Sequence, residues 1–341
     1  SRILLLLLIW GMLRHGKTYP DLKSAARMKE AIGLRDLVVS SYEKGRCSLC
    51  AQDIDNLRDW PVDSNMFDKT SALQDEGYQE MFGIASRLKK VYPQLDKLEG
   101  GSYRFRPTRN HWVEDSAKAF VKGLGNENLV IDDARVMDVI SFTYRGVNTT
   151  IIVLLVSYKF PFLKQAKDRI QRRLGIDYGL TEDNITALYD LCRYTWSGLN
   201  NKASPWCALF TTEDLKVLEY IGDLLHYYRN GYGRRNAEMY GQMPLTDLLE
   251  SFQKAKAGEG RKITAYFTHA ETLDMTFTAL GWFKDNKPIT AAEKKRDRYW
   301  RTSKISVFSA NLLMVLNKYT ISDYLNYYKT VKYICLYIED I

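Results

Sequence analysis

Two short segments of this chain place histidine beside groups that could handle a phosphoryl centre. The first is Arg14-His15-Gly16. A neutral imidazole aimed in line with a leaving oxygen can attack phosphorus and form a phosphohistidine. The neighbouring Arg14 offers forked donors to non-bridging phosphate oxygens, and Gly16 lets backbone approach closely. The second segment is His269-Ala270-Glu271. His269 could donate to the phosphoryl group, while Glu271, as a carboxylic acid, could protonate the departing oxygen. An alkoxide leaves poorly, so that proton matters. Taken singly, each segment has a bland reading: a surface histidine beside arginine, and a histidine and glutamate at the start of a helix.

The elements around them make the pairing more specific. Residues 4–13 are apolar, Arg14-His15-Gly16 follows, and Pro20 leads an amphipathic stretch over 21–32, where Pro20 suits the first turn of a helix. The same order recurs at 263–268, then His269-Ala270-Glu271, then a helical pattern over 272–280 with Leu273, Phe277 and Leu280 on one face and Gly281 as a stop. In open α/β sheets ligands bind beyond the carboxyl ends of the strands. If the two apolar runs are neighbouring strands, both motifs face one crevice. A third unit of this kind has a strand at 102–105, a loop over 106–115 and a helix over 116–124. The middle of the chain reads as helical. Thr211-Thr212-Glu213-Asp214 is a capping signature, Leu215, Leu218, Ile221, Leu225 and Tyr228 form an apolar stripe, and Gly231 closes the helix.

These readings predict an α/β fold with a central mixed sheet flanked by helices and a mostly helical insert. The core is expected over 1–125 and 258–341, with the insert or cap over 126–257. Residues 126–157, with the apolar run 150–156, fit this scheme poorly.

At 341 residues and 45% hydrophobic content, a packed domain of this size is feasible and wholesale disorder is excluded. Lys and Arg number 49 against 41 Asp and Glu, a net charge of +8 that suits an anionic partner. The densest basic run, Lys294-Lys295-Arg296-Asp297-Arg298, also reads as a solvated helix face. Nucleic acid is not the expected partner, because that role needs a clustered basic face with exposed aromatics, and the 23 tyrosines read as packing residues. Arg2 and the apolar run behind it resemble a signal peptide, but no small-residue cleavage pattern follows. Eight apolar residues are also too few for a bilayer span, so residues 3–13 are expected to be a buried strand. Cys47-x-x-Cys50 lacks the partners of a zinc site. Cys192 and Cys207 flank a loop that a disulfide could close, which would imply a secretory route. Asn184-Ile185-Thr186 and Asn148-Thr149-Thr150 are glycosylation sequons that lean the same way, to secretion or the endoplasmic reticulum lumen. Oligomeric state is not legible.

The motifs also carry a resemblance. Leu13-Arg14-His15-Gly16-Lys17-Thr18-Tyr19-Pro20 is similar to the RHGxRxP signature of clade-two histidine phosphatases. Tyr266-Phe267-Thr268-His269-Ala270-Glu271-Thr272-Leu273 resembles the HAE segment of the multiple inositol polyphosphate phosphatases within that clade. Segments beginning at Phe105-Arg106-Pro107-Thr108, Ser204-Pro205-Trp206-Cys207 and Trp300-Arg301-Thr302-Ser303 follow in the family's order. The likeness covers about 10–125 and 158–316. It implies metal-free hydrolysis of phosphomonoesters, phytate among them, with no cofactor. By motif position it makes His15 the nucleophile, Glu271 the proton donor, and Arg14 and His269 phosphate ligands. Two positions depart from the pattern. Thr18 stands where the motif has a second arginine, and Trp112 where a further phosphate-binding arginine is expected. Lys17, Thr18 and Arg109 are candidates to hold phosphate in their place, and Arg229, Arg234 and Arg235 are candidate substrate contacts. A phosphatase-fold protein that binds a phosphorylated ligand without turnover is the alternative expectation.

Overall fold

The computed structural model describes residues 3–133, 161–198, 202–320 and 335–337. Strand β1 (Ile3–Arg14) is followed by helices α1 (Leu22–Ala31), α2 (Leu34–Glu43), α3 (Ala51–Arg58), the short α4 (Asn65–Asp68) and α5 (Asp75–Val91). Strand β2 (Tyr103–Pro107) and helix α6 (His111–Leu124) come next. The chain then builds α7 (Pro161–Leu174), α8 (Glu182–Thr195), α9 (Thr212–Asn230) and α10 (Ala237–Lys256). It returns to the sheet with β3 (Ile263–Thr268), α11 (Ala270–Ala279), the single turn α12 (Thr302–Ile305), β4 (Asn311–Thr320) and β5 (Cys335–Tyr337).

The five strands form one mixed sheet in the order β2-β3-β1-β4-β5. β1 and β3 are parallel, with Arg14 opposite Thr268, and β2 runs parallel to β3, with Pro107 opposite Phe267. β4 closes the other side of β1 in antiparallel fashion. The first apolar run is therefore a central strand with neighbours on both edges. Ile9 and Leu13 pack into one apolar layer with Phe105, Phe120, Phe267 and Leu313. Trp10 and Met12 pack into the other with Tyr266, Leu273, Phe277 and Trp300. A strand covered on both faces needs apolar residues at successive positions, which is why β1 reads as a continuous run. Because β1, β2 and β3 are parallel and end in register, the loops after them open at the same sheet edge.

Several local expectations shift. Pro20 lies outside the first helix. Asp21 is the N-cap, its carboxylate accepting from the Lys23 and Ser24 backbone N–H groups at 3.0 and 3.1 Å. A carboxylate beside free N–H groups sets the start more firmly than proline does. Helix α6 begins at His111 rather than Ser116, and α11 at Ala270 rather than Thr272. Both therefore start directly at the strand-end loops. Thr211 and Asp214 form the capping box of α9, and Gly231 follows its end. The buried face of α9 is Val217, Tyr220, Leu224 and Tyr227, with Leu218, so the predicted stripe marks a half-buried flank except at Leu218. Buried carboxylates share that face, each with a cation: Arg169 pairs with Asp214, and Arg298 with Asp223.

Cys192 and Cys207 are joined in a disulfide across 15 residues. Asn184 is the third residue of α8, and its side-chain oxygen accepts from the Thr181 backbone at 3.0 Å in a capping box. This sequon asparagine is thus engaged in holding a helix start. The Asn148 sequon and the run 150–156 lie outside the described residues. Among the described residues no helix is long and apolar enough to cross a membrane.

Candidate active site

The loops leaving β1, β2 and β3 surround a cavity of about 510 Å³, within the range of small-molecule sites. Arg14, His15 and Thr18 line it from the β1 side, Thr108, Asn110 and Trp112 from the β2 side, and His269, Glu271 and Thr272 from the β3 side. Helices α6 and α11 both begin at this cavity, and the partial positive charge of a helix N-terminus favours an anion there.

His15 is buried, and its Nδ1 lies 2.9 Å from the Gly16 carbonyl oxygen. A carbonyl only accepts, so Nδ1 carries the ring proton and Nε2 the lone pair. Burial pushes His15 well below the usual histidine range, and the positive charge of Arg14 and the neighbouring His269 add to the effect. The ring is therefore neutral and nucleophilic across the physiological range. Its centroid is 5.4 Å from that of His269 and 6.3 Å from that of Trp112. The loop is held tightly behind it: Gly16 N–H donates to the Ser116 hydroxyl at 3.1 Å, and Ser309 N–H donates to the His15 carbonyl at 3.0 Å.

Arg14 lies with its guanidinium carbon 4.4 Å from the centre of the Phe308 ring and donates to the Ser306 carbonyl. Its buried Nε has no partner among the described residues. His269 Nε2 is 2.8 Å from Asn110 Oδ1, which accepts. The neutral ring thus presents Nδ1 as an acceptor and can donate from that side only when doubly protonated. Burial lowers the His269 pKa, against the pull of Glu271. For Glu271 burial acts upward, but His226, the residue's own backbone N–H, His269 and Arg14 outweigh it and hold the carboxyl below its usual range. Glu271 is ionised in the free protein at neutral pH.

The cavity thus brings together six of the ten candidate residues: Arg14, His15, Thr18, Arg229, His269 and Glu271. Lys17 is not at its wall. Its ammonium is ion-paired with Glu76 at 2.5 Å and also donates to the Trp196 carbonyl. A lysine neutralised in this way is a tie between α5 and the chain after α8, not a replacement for an arginine. Arg109 is exposed outside the cavity. Arg234 donates to the Arg229 carbonyl and lies over the Tyr240 ring, and Arg235 is exposed outside the cavity. Thr18 and Trp112, the two departures from the motif pattern, both line the cavity.

Sequence reasoning missed Asn110, Tyr194, His226 and Phe308, which also line it. Asn110 had a signal: it sits in the third strand–loop–helix unit at the place equivalent to the two histidine motifs. His226 had none, since its partner Asp274 is 48 residues away. Among the described residues no group of three or more His, Cys, Asp or Glu side chains is arranged to hold a metal ion.

The profile of the histidine phosphatase superfamily, branch 2, matches residues 153–328, just over half of the chain. The chain belongs to this family. The histidine phosphatase is 29% identical over 328 residues to a multiple inositol polyphosphate phosphatase of Drosophila melanogaster, covering 90% of this chain and 69% of that protein. Among solved structures it is similar to a phytase from D. castellii, with a TM-score of 0.72 at 18% identity, over 93% of this chain and 73% of the other. It is also similar to the Bifidobacterium longum multiple inositol polyphosphate phosphatase in complex with inositol hexasulfate, with a TM-score of 0.63 at 14% identity, over 93% and 85%. These structures establish the fold.

Proposed function

We propose that this phosphatase hydrolyses inositol polyphosphates such as phytate through a phosphohistidine formed on His15. The observation that carries the reading is the fixed tautomer of His15, a residue that lines the same cavity as Glu271 and His269. Glu271 is ionised in the free protein, and the negative charge of a bound phosphate opposes that ionisation, so Glu271 takes up a proton as the substrate binds. In the first step Nε2 of His15 bonds to phosphorus as the bond to the inositol oxygen breaks, and Glu271 gives its proton to that oxygen. In the second step Glu271, now a carboxylate, takes a proton from water, the water oxygen bonds to phosphorus, and the bond to Nε2 breaks to release inorganic phosphate.

The surroundings suit this sequence. The orphaned Nε of Arg14 is a buried donor that a phosphate oxygen would satisfy. Phosphate dianion beside His269 favours its doubly protonated form, which then donates from Nδ1. Arg229, Thr18 and the starts of α6 and α11 supply further positive or donor surface. The relatives' names and the hexasulfate in the Bifidobacterium longum structure favour a polyanionic inositol ring over a simple monoester. The disulfide favours folding in an oxidising compartment, in keeping with a secreted or lumenal protein.

Phosphate release from phytate by the purified protein, beside His15→Ala, tests the proposal. Release that vanishes in the variant supports it. No release above the variant, from protein with a cooperative melting transition, overturns turnover and leaves a protein that only binds a phosphorylated ligand.

A further inference from the structure

One buried ion pair at the cavity has no part in the steps above. His226 on α9 meets Asp274 on α11, Nδ1 to Oδ2, at 2.6 Å. Asp274 is fully buried, and its other oxygen has no partner among the described residues. A carboxylate in that position needs a positive partner, and removing the partner would leave a buried unpaired charge. The His226 side chain retains 28% exposure and lines the cavity with Arg229, which lies one turn further along the same helix. With Nδ1 committed to Asp274, the remaining donor of the ring is Nε2–H.

We infer that His226, clamped as an imidazolium by Asp274, is a phosphate ligand that the helical part of the chain contributes to the cavity. The inference rests on the phosphatase reading of the site and names a contact outside both histidine motifs. The groups facing His226 are Asp274 and Glu271 from α11, Arg14 from the end of β1, and Arg229 from its own helix. The two carboxylates favour the protonated ring and Arg14 opposes it. Burial opposes it as well, yet Asp274 prevails and the histidine pKa is raised. A bound phosphate adds negative charge to the same side. Thr18 and Trp112 offer only neutral donors to the cavity, and a cation on α9 adds positive charge to the same cavity.

The test is binding of inorganic phosphate to the full chain, followed by the ring-proton NMR signal of His226, assigned with His226→Gln. The expected midpoint of that signal lies above the ordinary histidine value and rises further with phosphate. His226→Gln should weaken phosphate binding roughly 10-fold or more, the range of a charge-assisted hydrogen bond. His226→Arg should keep the affinity and remove its decline at alkaline pH. Asp274→Asn, which preserves shape, should lower the His226 midpoint and weaken phosphate binding. Phosphate affinity equal in wild type and folded His226→Gln, or a midpoint indifferent to phosphate, overturns the inference. Phosphate binding that depends on His226 without any release from phytate supports this contact while rejecting turnover, so the two readings fail separately.

Discussion

Gly16 and Gly77 meet backbone to backbone. A Cβ placed on Gly16 would lie 2.2 Å from the Gly77 carbonyl oxygen, and one on Gly77 would lie 2.3 Å from the Lys17 backbone nitrogen. The first turn of α5 is thereby seated against the loop that carries His15. The same approach lets the Lys17 N–H reach Glu80 at 3.1 Å, and Glu80 accepts from the Ser309 hydroxyl at 2.7 Å. Gly77→Ala has no room without moving this backbone. Overpacking of this kind costs about 1–3 kcal/mol. A shift of about 1 Å at a nucleophile can lower turnover roughly 10²-fold. Thermal melting and kcat of Gly77→Ala should both fall, and a variant with wild-type kcat would show that the contact does not position His15.

The proton-donor role proposed for Glu271 predicts a dependence on the leaving group. Glu271→Gln keeps the shape but has no acidic proton. Release from an alkyl ester such as phytate should fall roughly 10²–10⁴-fold, the usual contribution of general acid catalysis. An aryl ester with an acidic phenol departs without help, so its hydrolysis should fall far less. Equal losses on both substrates would remove Glu271 from the proton-donor role.

Two histidines should give the fold opposing responses to pH. The His15 pKa is lowered in the folded state, so its stability contribution is present above the unfolded value of 6.5 and is lost as pH falls below it. The His226 pKa is raised, so its contribution is full below 6.5 and is lost as pH rises through the folded value. Melting temperatures at about pH 5 and about pH 8 separate them. His15→Ala should gain stability relative to wild type mainly at the acid end. His226→Gln should lose stability mainly there, and the reverse order would contradict the assigned charge states.

Trp112 occupies the cavity wall where the motif pattern leads one to expect an arginine, with its ring centroid 6.1 Å from that of His269. An indole offers one neutral donor, whereas a guanidinium offers several charged ones. Losing a preorganised donor typically costs roughly 10²–10³-fold in rate. Trp112→Arg should therefore raise kcat/KM on phytate by roughly 10²-fold, with a lower KM for the phosphorylated substrate. No gain in a folded variant would mean that the cavity has adapted to the tryptophan.

Much of the site was legible because its determinants are local. The apolar run 4–13 and the tripeptide behind it specify a strand and a loop without reference to the rest of the chain. The run 263–268 with His269-Ala270-Glu271 does the same. Their likeness in order is enough to suggest that both motifs serve one crevice, and the parallel pairing of Arg14 with Thr268 realises it. Pro20 misled because proline and aspartate both favour helix starts, and the choice between them depends on which backbone N–H groups the Asp21 carboxylate reaches.

The sequence by itself determined the two histidine motifs, the strands that carry them, the cap of α9 at Thr211 and the family to which the chain belongs. Only the tertiary structure decided which charges reach the cavity. Lys17 lies two residues from His15 yet spends its charge on Glu76, while Arg229 and His226 arrive from a helix more than 200 residues away. Side-chain charge is pairwise and long-range in sequence: whether a cation stands at the cavity wall depends on where the fold carries it and on the partners that hold it there. That depends on contacts between α5 and the β1 loop, and between α9 and α11, which no local pattern encodes.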